Sequence, residues 1–166
     1  YHDSGEYTLK ASIAAGSTAN IETESNNTSA TADALVSGSE IKGQLSNETD
    51  IDYYSLAATA AGTISIDFDP TVNSSYTEYY TVSLLDGSSN VLASQDVGKD
   101  TNFSTGVTAA GTYYIAVDAY NSSAWTTYHD SGEYTLKASI AAGSTANIET
   151  ESNNTSATAD ALVSGS

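Results

Sequence analysis

Carboxylate and amide side chains occupy alternate positions from Glu22 to Asn26. Successive side chains of an extended chain point to opposite sides, so Glu22, Glu24 and Asn26 would share one face. Such a face suits Ca²⁺, which binds about six to eight oxygens from carboxylates, amides and carbonyls. The pattern therefore indicates a candidate calcium site. The acidic composition by itself favours a solvated acidic linker over the same residues, so the spacing alone leaves both interpretations open.

Side chains for other kinds of chemistry are few. The chain has no cysteine and two histidines, His2 and His129, which occupy the same motif, YHDSGEY, beside a glycine. Nucleophilic catalysis by Ser or Thr needs a nearby base, usually a histidine, and we interpret this histidine as a surface-loop residue. Paired carboxylates arise by default on an acidic surface, so they do not indicate glycoside hydrolysis. We expect a protein that is not an enzyme.

The charge balance is strongly acidic, with 21 acidic residues against 4 lysines, no arginine and a net charge of -17. Nucleic acid is excluded as a partner, since phosphate binding needs clustered cations. Divalent cation sites, a high-salt habitat and the solubility of a long polymer each explain the acidity. No apolar run approaches the roughly 18 residues of a membrane span, so we expect no membrane insertion here. A secretory signal would lie upstream of these residues.

The two ends of the chain carry the same sequence. Residues 128–166 repeat residues 1–39 letter for letter, a displacement of 127 residues from position 1 to position 128. A period of this length is close to the commonest domain size and can bury one core. We therefore interpret the chain as part of a tandem array in which each period holds one module.

Short runs of alternating apolar and polar residues predict half-buried strands. About eight such runs predict an all-β protein, an antiparallel sandwich. Asp86 and Gly87 lie between two apolar segments and indicate a hairpin connection. Residues 29–38 are the one plausible short helix or turn. The alternation predicts six buried side chains: Ile64, Ile66, Ile115, Val117, Tyr134 and Leu136.

The stretch AAGSTAN, residues 14–20, has only small residues and is the best linker candidate. The chain then divides into the final strand of a preceding repeat, a linker, one complete module, a second linker and the start of the next repeat: residues 1–13, 14–21, 22–139, 140–148 and 149–166. The alternative is a subunit assembled by donor-strand exchange, although the two copies of the final strand would then compete for one slot.

Within one period, six segments occur in a fixed order: IETESNNTSATADAL, GQLSNETDIDYYSL, AAGTISIDF, YTVSLLDGSSNVL, AAGTYYIAV and SGEYTLKAS. This order resembles the bacterial pre-peptidase C-terminal domain family over residues 22–139. The resemblance implies a jelly-roll-like β-sandwich of the kind often appended to secreted proteases and related to the collagen-binding modules of clostridial collagenases.

The resemblance also implies a calcium site. In calcium-binding relatives, acidic and amide side chains before the first core strand join an acidic segment on a later strand. The matching positions in this sequence are Glu22, Glu24, Asn26, Asn27, Asp50 and Asp52. The next repeat would supply half of a second site through Glu149, Glu151, Asn153 and Asn154.

Two functions follow as expectations. The first is a structural repeat module of an extracellular filament, stalk or giant surface adhesin, made rigid by calcium at the junction between modules. Its partners would be identical modules in the same or an adjacent polymer, with surface glycans or extracellular proteins as possible further ligands. The second is a carbohydrate- or protein-binding accessory module of a secreted hydrolase, with an aromatic patch facing the ligand: Tyr76, Tyr79, Tyr120 and Trp125.

Overall fold

Nine β-strands make up the regular structure of residues 20–75, 77–121, 132–143 and 155–159, which are the residues described by a computed structural model. No residue in these ranges is helical, and none of them forms a helix capable of crossing a membrane. The strands are β1 (Asp33–Leu35), β2 (Glu40–Gln44), β3 (Ile51–Ala58), β4 (Gly62–Pro70), β5 (Tyr80–Leu85), β6 (Val91–Val97), β7 (Thr101–Val107), β8 (Gly111–Ala119) and β9 (Glu133–Ala142).

The strands form two sheets, one with the order β1-β3-β8-β5-β6 and one with the order β2-β9-β4-β7. All neighbouring strands pair antiparallel except β1 and β3, which pair in parallel. The predicted all-β sandwich is therefore confirmed. Strand β9 occupies a central position in the four-stranded sheet, between β2 and β4, so it is essential to that sheet.

The hydrophobic core lies between the sheets and follows the alternation of the strands. All six side chains predicted to be buried are at most 2% exposed. Burying a large apolar side chain contributes roughly 1.5–3 kcal/mol. The rings of Phe68, Tyr80 and Tyr134 pack together at one end of this core, with centroids 5.0 to 5.8 Å apart. The predicted hairpin is also confirmed, since Asp86 accepts hydrogen bonds from the backbone of Ser88 and Asn90.

The short helix or turn expected within residues 29–38 is a turn, which closes between Thr28 and Thr31. Strand β1 follows it, because its backbone pairs with β3. The boundary of the second predicted linker needs correction. Strand β9 continues to Ala142, so the first three residues of the predicted linker 140–148 belong to the sheet. They remain extended because they pair with Gly62, Thr63 and Ile64 of β4.

The last two residues of the predicted N-terminal linker, Asn20 and Ile21, are part of the described structure. Ile21 forms a β-bridge with Lys42, so the last residue of the predicted linker 14–21 is attached to β2. The predicted strand in residues 1–13 and the linker residues 14–19 lie outside the described residues.

Candidate metal centre

The segment from Asn20 to Asn26 connects the two sheets at one corner of the sandwich. Its first half follows β2, where Lys42 N donates to Asn20 O at 2.9 Å and Glu22 N donates to Lys42 O at 3.0 Å. Its last residue reaches β3, where Tyr53 N donates to Asn26 O at 3.0 Å. Backbone bonds at both ends therefore hold the side chains between them against the sandwich.

Three carboxyl groups meet at this corner. One oxygen from each of Glu22, Glu24 and Asp52 lies within 4.8 Å of the other two. Glu24 is exposed, Glu22 is half-buried and Asp52 is fully buried. Since Ca²⁺ holds its ligands at about 2.4 Å, two ligands of one ion lie no more than about 5 Å apart. The spacing of the three oxygens is therefore compatible with a single ion.

Two fully buried oxygens at the same corner have no hydrogen-bond partner within the described residues, namely Asn26 Oδ1 and Asp52 Oδ1. The amide nitrogen of Asn26 points to Glu22 Oε2 at 3.4 Å and to Asp33 Oδ2 at 3.5 Å, which leaves its oxygen free. A buried acceptor without a partner costs about 1–3 kcal/mol, and a charged one costs more. A bound cation would satisfy both oxygens.

A pair of tyrosine hydroxyls lies beneath the carboxyl groups. The hydroxyls of Tyr54 and Tyr134 are 2.7 Å apart. Tyr54 donates a hydrogen bond to Glu22 Oε2, and Tyr134 donates one to Asp52 Oδ2. A Cβ atom at Gly43 would overlap both hydroxyls, so the lack of a side chain there allows the pair to form.

Four oxygens at this corner form a chain of close contacts, and the number of protons available can be compared with the number of contacts. Three close contacts join Glu22, Tyr54, Tyr134 and Asp52 in sequence, and the two hydroxyls supply two protons. While Tyr54 donates to Glu22 and Tyr134 donates to Asp52, the contact between the two hydroxyls has no proton. With a proton on Asp52 Oδ2, Asp52 donates to Tyr134 and Tyr134 donates to Tyr54, so all three contacts are hydrogen bonds. Burial raises the pKa of Asp52 to about 8, and the charges of Glu22 and Asp50 act in the same direction, against the hydrogen bond from Tyr134. Asp52 is therefore largely protonated at neutral pH when no cation is bound.

Of the other predicted ligands, Asp50 is buried and its side chain lies beside that of Glu24. Its carboxylate also accepts hydrogen bonds from Ser46 N at 2.7 Å and Ile51 N at 3.1 Å, so it holds the loop before β3. Its charge still acts on the cluster, because burial and then Asp50 and Glu22 raise the pKa of Glu24. Asn27 is exposed. The four positions of the second site lie outside the described residues: Glu149, Glu151, Asn153 and Asn154.

Three residues of this corner were not among the predicted site residues: Asp33, Tyr54 and Tyr134. Asp33 accepts a hydrogen bond from Thr23 N at 2.7 Å and so holds the backbone between Glu22 and Glu24. Strand alternation places Tyr54 on the face of Asp52 and was a usable signal. No local pattern indicates Tyr134, which is 82 residues from Asp52 in the sequence.

An open groove of about 500 Å³ lies beside the cluster. Its walls include Ile21, Glu22, Glu24, Lys42 and Tyr134. Solvent and small ions therefore have access to the carboxyl groups from this side.

The aromatic patch predicted for the alternative function is not supported at Tyr79. This side chain is only 5% exposed, because its backbone pairs with Val97 and Tyr120 and its ring belongs to the core. Tyr120 is 43% exposed. The other two members, Tyr76 and Trp125, lie outside the described residues.

Comparisons with known proteins identify similar solved structures and no sequence family. No protein-family model matches the sequence, and no curated protein matches it. The pre-peptidase C-terminal domain of a collagenase from Bacillus anthracis is 24% identical over 64% of this chain and 93% of its own, with a TM-score of 0.49. PliG from Aeromonas hydrophila, a periplasmic inhibitor of g-type lysozyme, is 18% identical over 66% of this chain and 96% of its own, with a TM-score of 0.50. The likeness to PliG shows a shared fold and nothing about activity.

Proposed function

We propose that the chain is a calcium-binding structural module of an extracellular filament, stalk or giant surface adhesin, built as a tandem repeat of pre-peptidase C-terminal type. The observation that carries the calcium site is the pair of buried, unpartnered oxygens on Asn26 and Asp52, next to three clustered carboxyl groups. The exact repetition of residues 1–39 at residues 128–166 supports the polymer.

The donor set fits calcium better than a transition metal. Glu22, Glu24 and Asp52 would provide carboxylate oxygens, and Asn26 would provide its amide oxygen. An all-oxygen set of this kind suits hard cations, whereas zinc and copper sites use nitrogen and sulfur. A bound ion supplies positive charge where three acids crowd together, and it gives the two buried oxygens a partner.

The position of the site supports a role at the junction between modules. In the array, Asn147 would occupy the place of Asn20 in the following module, so four residues, 143–146, separate it from the end of β9 at Ala142. The ligands Glu22 and Glu24 follow directly after this connection. An ion held there would fix the first residues of a module to its own sandwich and shorten the free linker.

The two ends of the module support a head-to-tail arrangement. The chain enters beside Lys42, which pairs with Thr135 near the start of β9, and leaves β9 at Ala142. Thr135 and Ala142 are seven residues apart along β9, a distance of about 23 Å at roughly 3.3 Å per residue. A fully extended connection from Ala142 to Asn147 adds at most about 17 Å. The axial repeat would therefore be about 40 Å or less.

Calcium titration of the 166-residue chain tests the site. We expect one strong site in the described module, and at a calcium concentration about 100 times Kd the stabilisation is about 2.7 kcal/mol. For a module of this size, that raises Tm by roughly 10 °C. Asp52→Asn should weaken binding about tenfold or more, because it removes a ligand charge. Asp67→Asn, an exposed acid on β4, is the matched control and should bind as the parent does. Identical melting in calcium and in chelator would disprove the site.

A further inference from the structure

The tyrosine pair joins the two sheets directly under the carboxyl cluster. Tyr54 belongs to β3 in the five-stranded sheet and Tyr134 belongs to β9 in the four-stranded sheet. Their side chains are 0% and 2% exposed. The hydrogen bonds described above therefore connect Glu22 to Asp52 through a bridge of two hydroxyls that solvent does not reach.

Each hydroxyl engages one oxygen of one acid. Tyr134 binds Asp52 Oδ2, while Oδ1 of the same carboxyl group has no partner among the described residues. Tyr54 binds Glu22 Oε2, and the backbone nitrogen of Gln44 donates to Glu22 Oε1. These contacts restrict the rotation of both carboxyl groups and determine which oxygen of Asp52 remains available.

We propose that Tyr54 and Tyr134 are positioning residues of the cation site, which hold the carboxyl groups of Glu22 and Asp52 in the orientation that one ion needs. This inference rests on the proposed calcium function. Neither tyrosine is a ligand: each acts through the acid that its hydroxyl binds. Carboxylates that are already oriented lose less conformational freedom when the ion binds, so the hydroxyls raise affinity.

The surroundings of Tyr134 suit this role. Its ring packs on Phe68 at a centroid distance of 5.0 Å and meets Tyr80 edge-on at 5.8 Å. Gly43 leaves the space that the two hydroxyls occupy. Packing in the core therefore fixes the ring of Tyr134, and Tyr54 belongs to the same core cluster, as a rigid support for metal ligands requires.

Tyr54→Phe and Tyr134→Phe, each made in the 166-residue chain, test the inference. Each variant removes one hydroxyl and keeps the ring. Tyr113→Phe is the matched control, since Tyr113 is also buried but its hydroxyl donates to the backbone oxygen of Ala109 at 3.0 Å. Isothermal titration with calcium chloride should show affinity reduced about tenfold or more in the two test variants, the usual size of such effects. The control should stay close to the parent.

A second measurement separates positioning from a general loss of stability. Terbium ions replace calcium in oxygen sites, and the terbium luminescence lifetimes in H2O and D2O report the number of water molecules on the ion. A misoriented carboxyl group should let about one further water onto the ion, which a purely structural hydroxyl would not do. Because bound metal stabilises the folded state, this measurement at saturating terbium also covers a variant that is unfolded without metal.

The outcomes are distinct. Reduced calcium affinity and added water in Tyr54→Phe and Tyr134→Phe, with neither in Tyr113→Phe, support positioning. Parent-like affinity or an unchanged water count in both test variants overturns it, while the calcium site itself stands. Absence of calcium binding in the parent chain overturns the proposed function and this inference with it.

Discussion

The metal-free protein should lose stability as the pH rises from 6 to 8. Burial raises the pKa of Asp52 from an ordinary value of 3.8 to about 8 in the folded state. A group whose pKa is raised by folding favours the folded state below its unfolded value, and this contribution is lost as the pH rises through the folded value. In chelator, the free energy of unfolding should therefore fall across this interval, whereas ordinary carboxylates are already ionised at pH 6 in both states.

The size of the effect follows from the two pKa values. Between pH 6 and pH 8, ionisation of Asp52 lowers the free energy of the unfolded chain by about 1.4 kcal/mol per pH unit, relative to the protonated form. The folded chain gains almost none of this stabilisation until the pH approaches 8. The difference is on the order of 2 kcal/mol, and with a urea m-value of about 1–3 kcal/mol/M it moves the unfolding midpoint by roughly 1–2 M.

Urea denaturation in chelator, followed by tyrosine fluorescence at several pH values, measures this shift. Asp52→Asn is the essential comparison, because it removes the titrating group and should flatten the pH dependence. Saturating calcium should do the same in the parent chain, since it favours the ionised form of its ligands. A midpoint that is constant between pH 6 and pH 8 in chelator, or an equal slope in Asp52→Asn, would refute the assignment of the proton to Asp52.

Two further predictions concern packing and assembly. Gly43→Ala should reduce the stability of the chain by about 1–3 kcal/mol in thermal unfolding, because the added methyl group overlaps the hydroxyls of Tyr54 and Tyr134. Gly111→Ala is the control, since its methyl group would meet no atom within 4 Å. Equal losses of stability in the two variants would contradict the role of Gly43. In electron micrographs, filaments of the tandem array should show an axial repeat of about 40 Å or less along straight segments in calcium, and they should bend more in chelator. A clearly longer repeat would count against the head-to-tail arrangement. Straightness that does not change with chelator would count against the calcium junction.

Local sequence patterns determined the strands, the buried faces and one turn. Alternation along β4 and β8 placed Ile64, Ile66 and Ile115 in the core because side chains of a strand alternate between its two faces. The turn between Thr28 and Thr31 recurs between Thr155 and Thr158 with the same hydrogen bonds, at 2.9 Å between the hydroxyls in both copies. Hydrogen bonds between a threonine side chain and the nearby backbone span only a few residues, so the same letters produce the same turn.

The composition of the candidate metal centre was decided by the tertiary structure. Spacing in the sequence grouped Asp50 with Asp52, yet the two acids differ in their partners: backbone nitrogens at the start of β3 and in the loop before it bind both oxygens of Asp50, while Asp52 Oδ1 has no partner among the described residues. The meeting of Asp52 with Tyr134 depends on β3 and β9 lying in different sheets that pack together at this corner. Contacts between sheets depend on how two complete surfaces pack, and the period of a single strand carries no information about which residue of a distant strand it will meet.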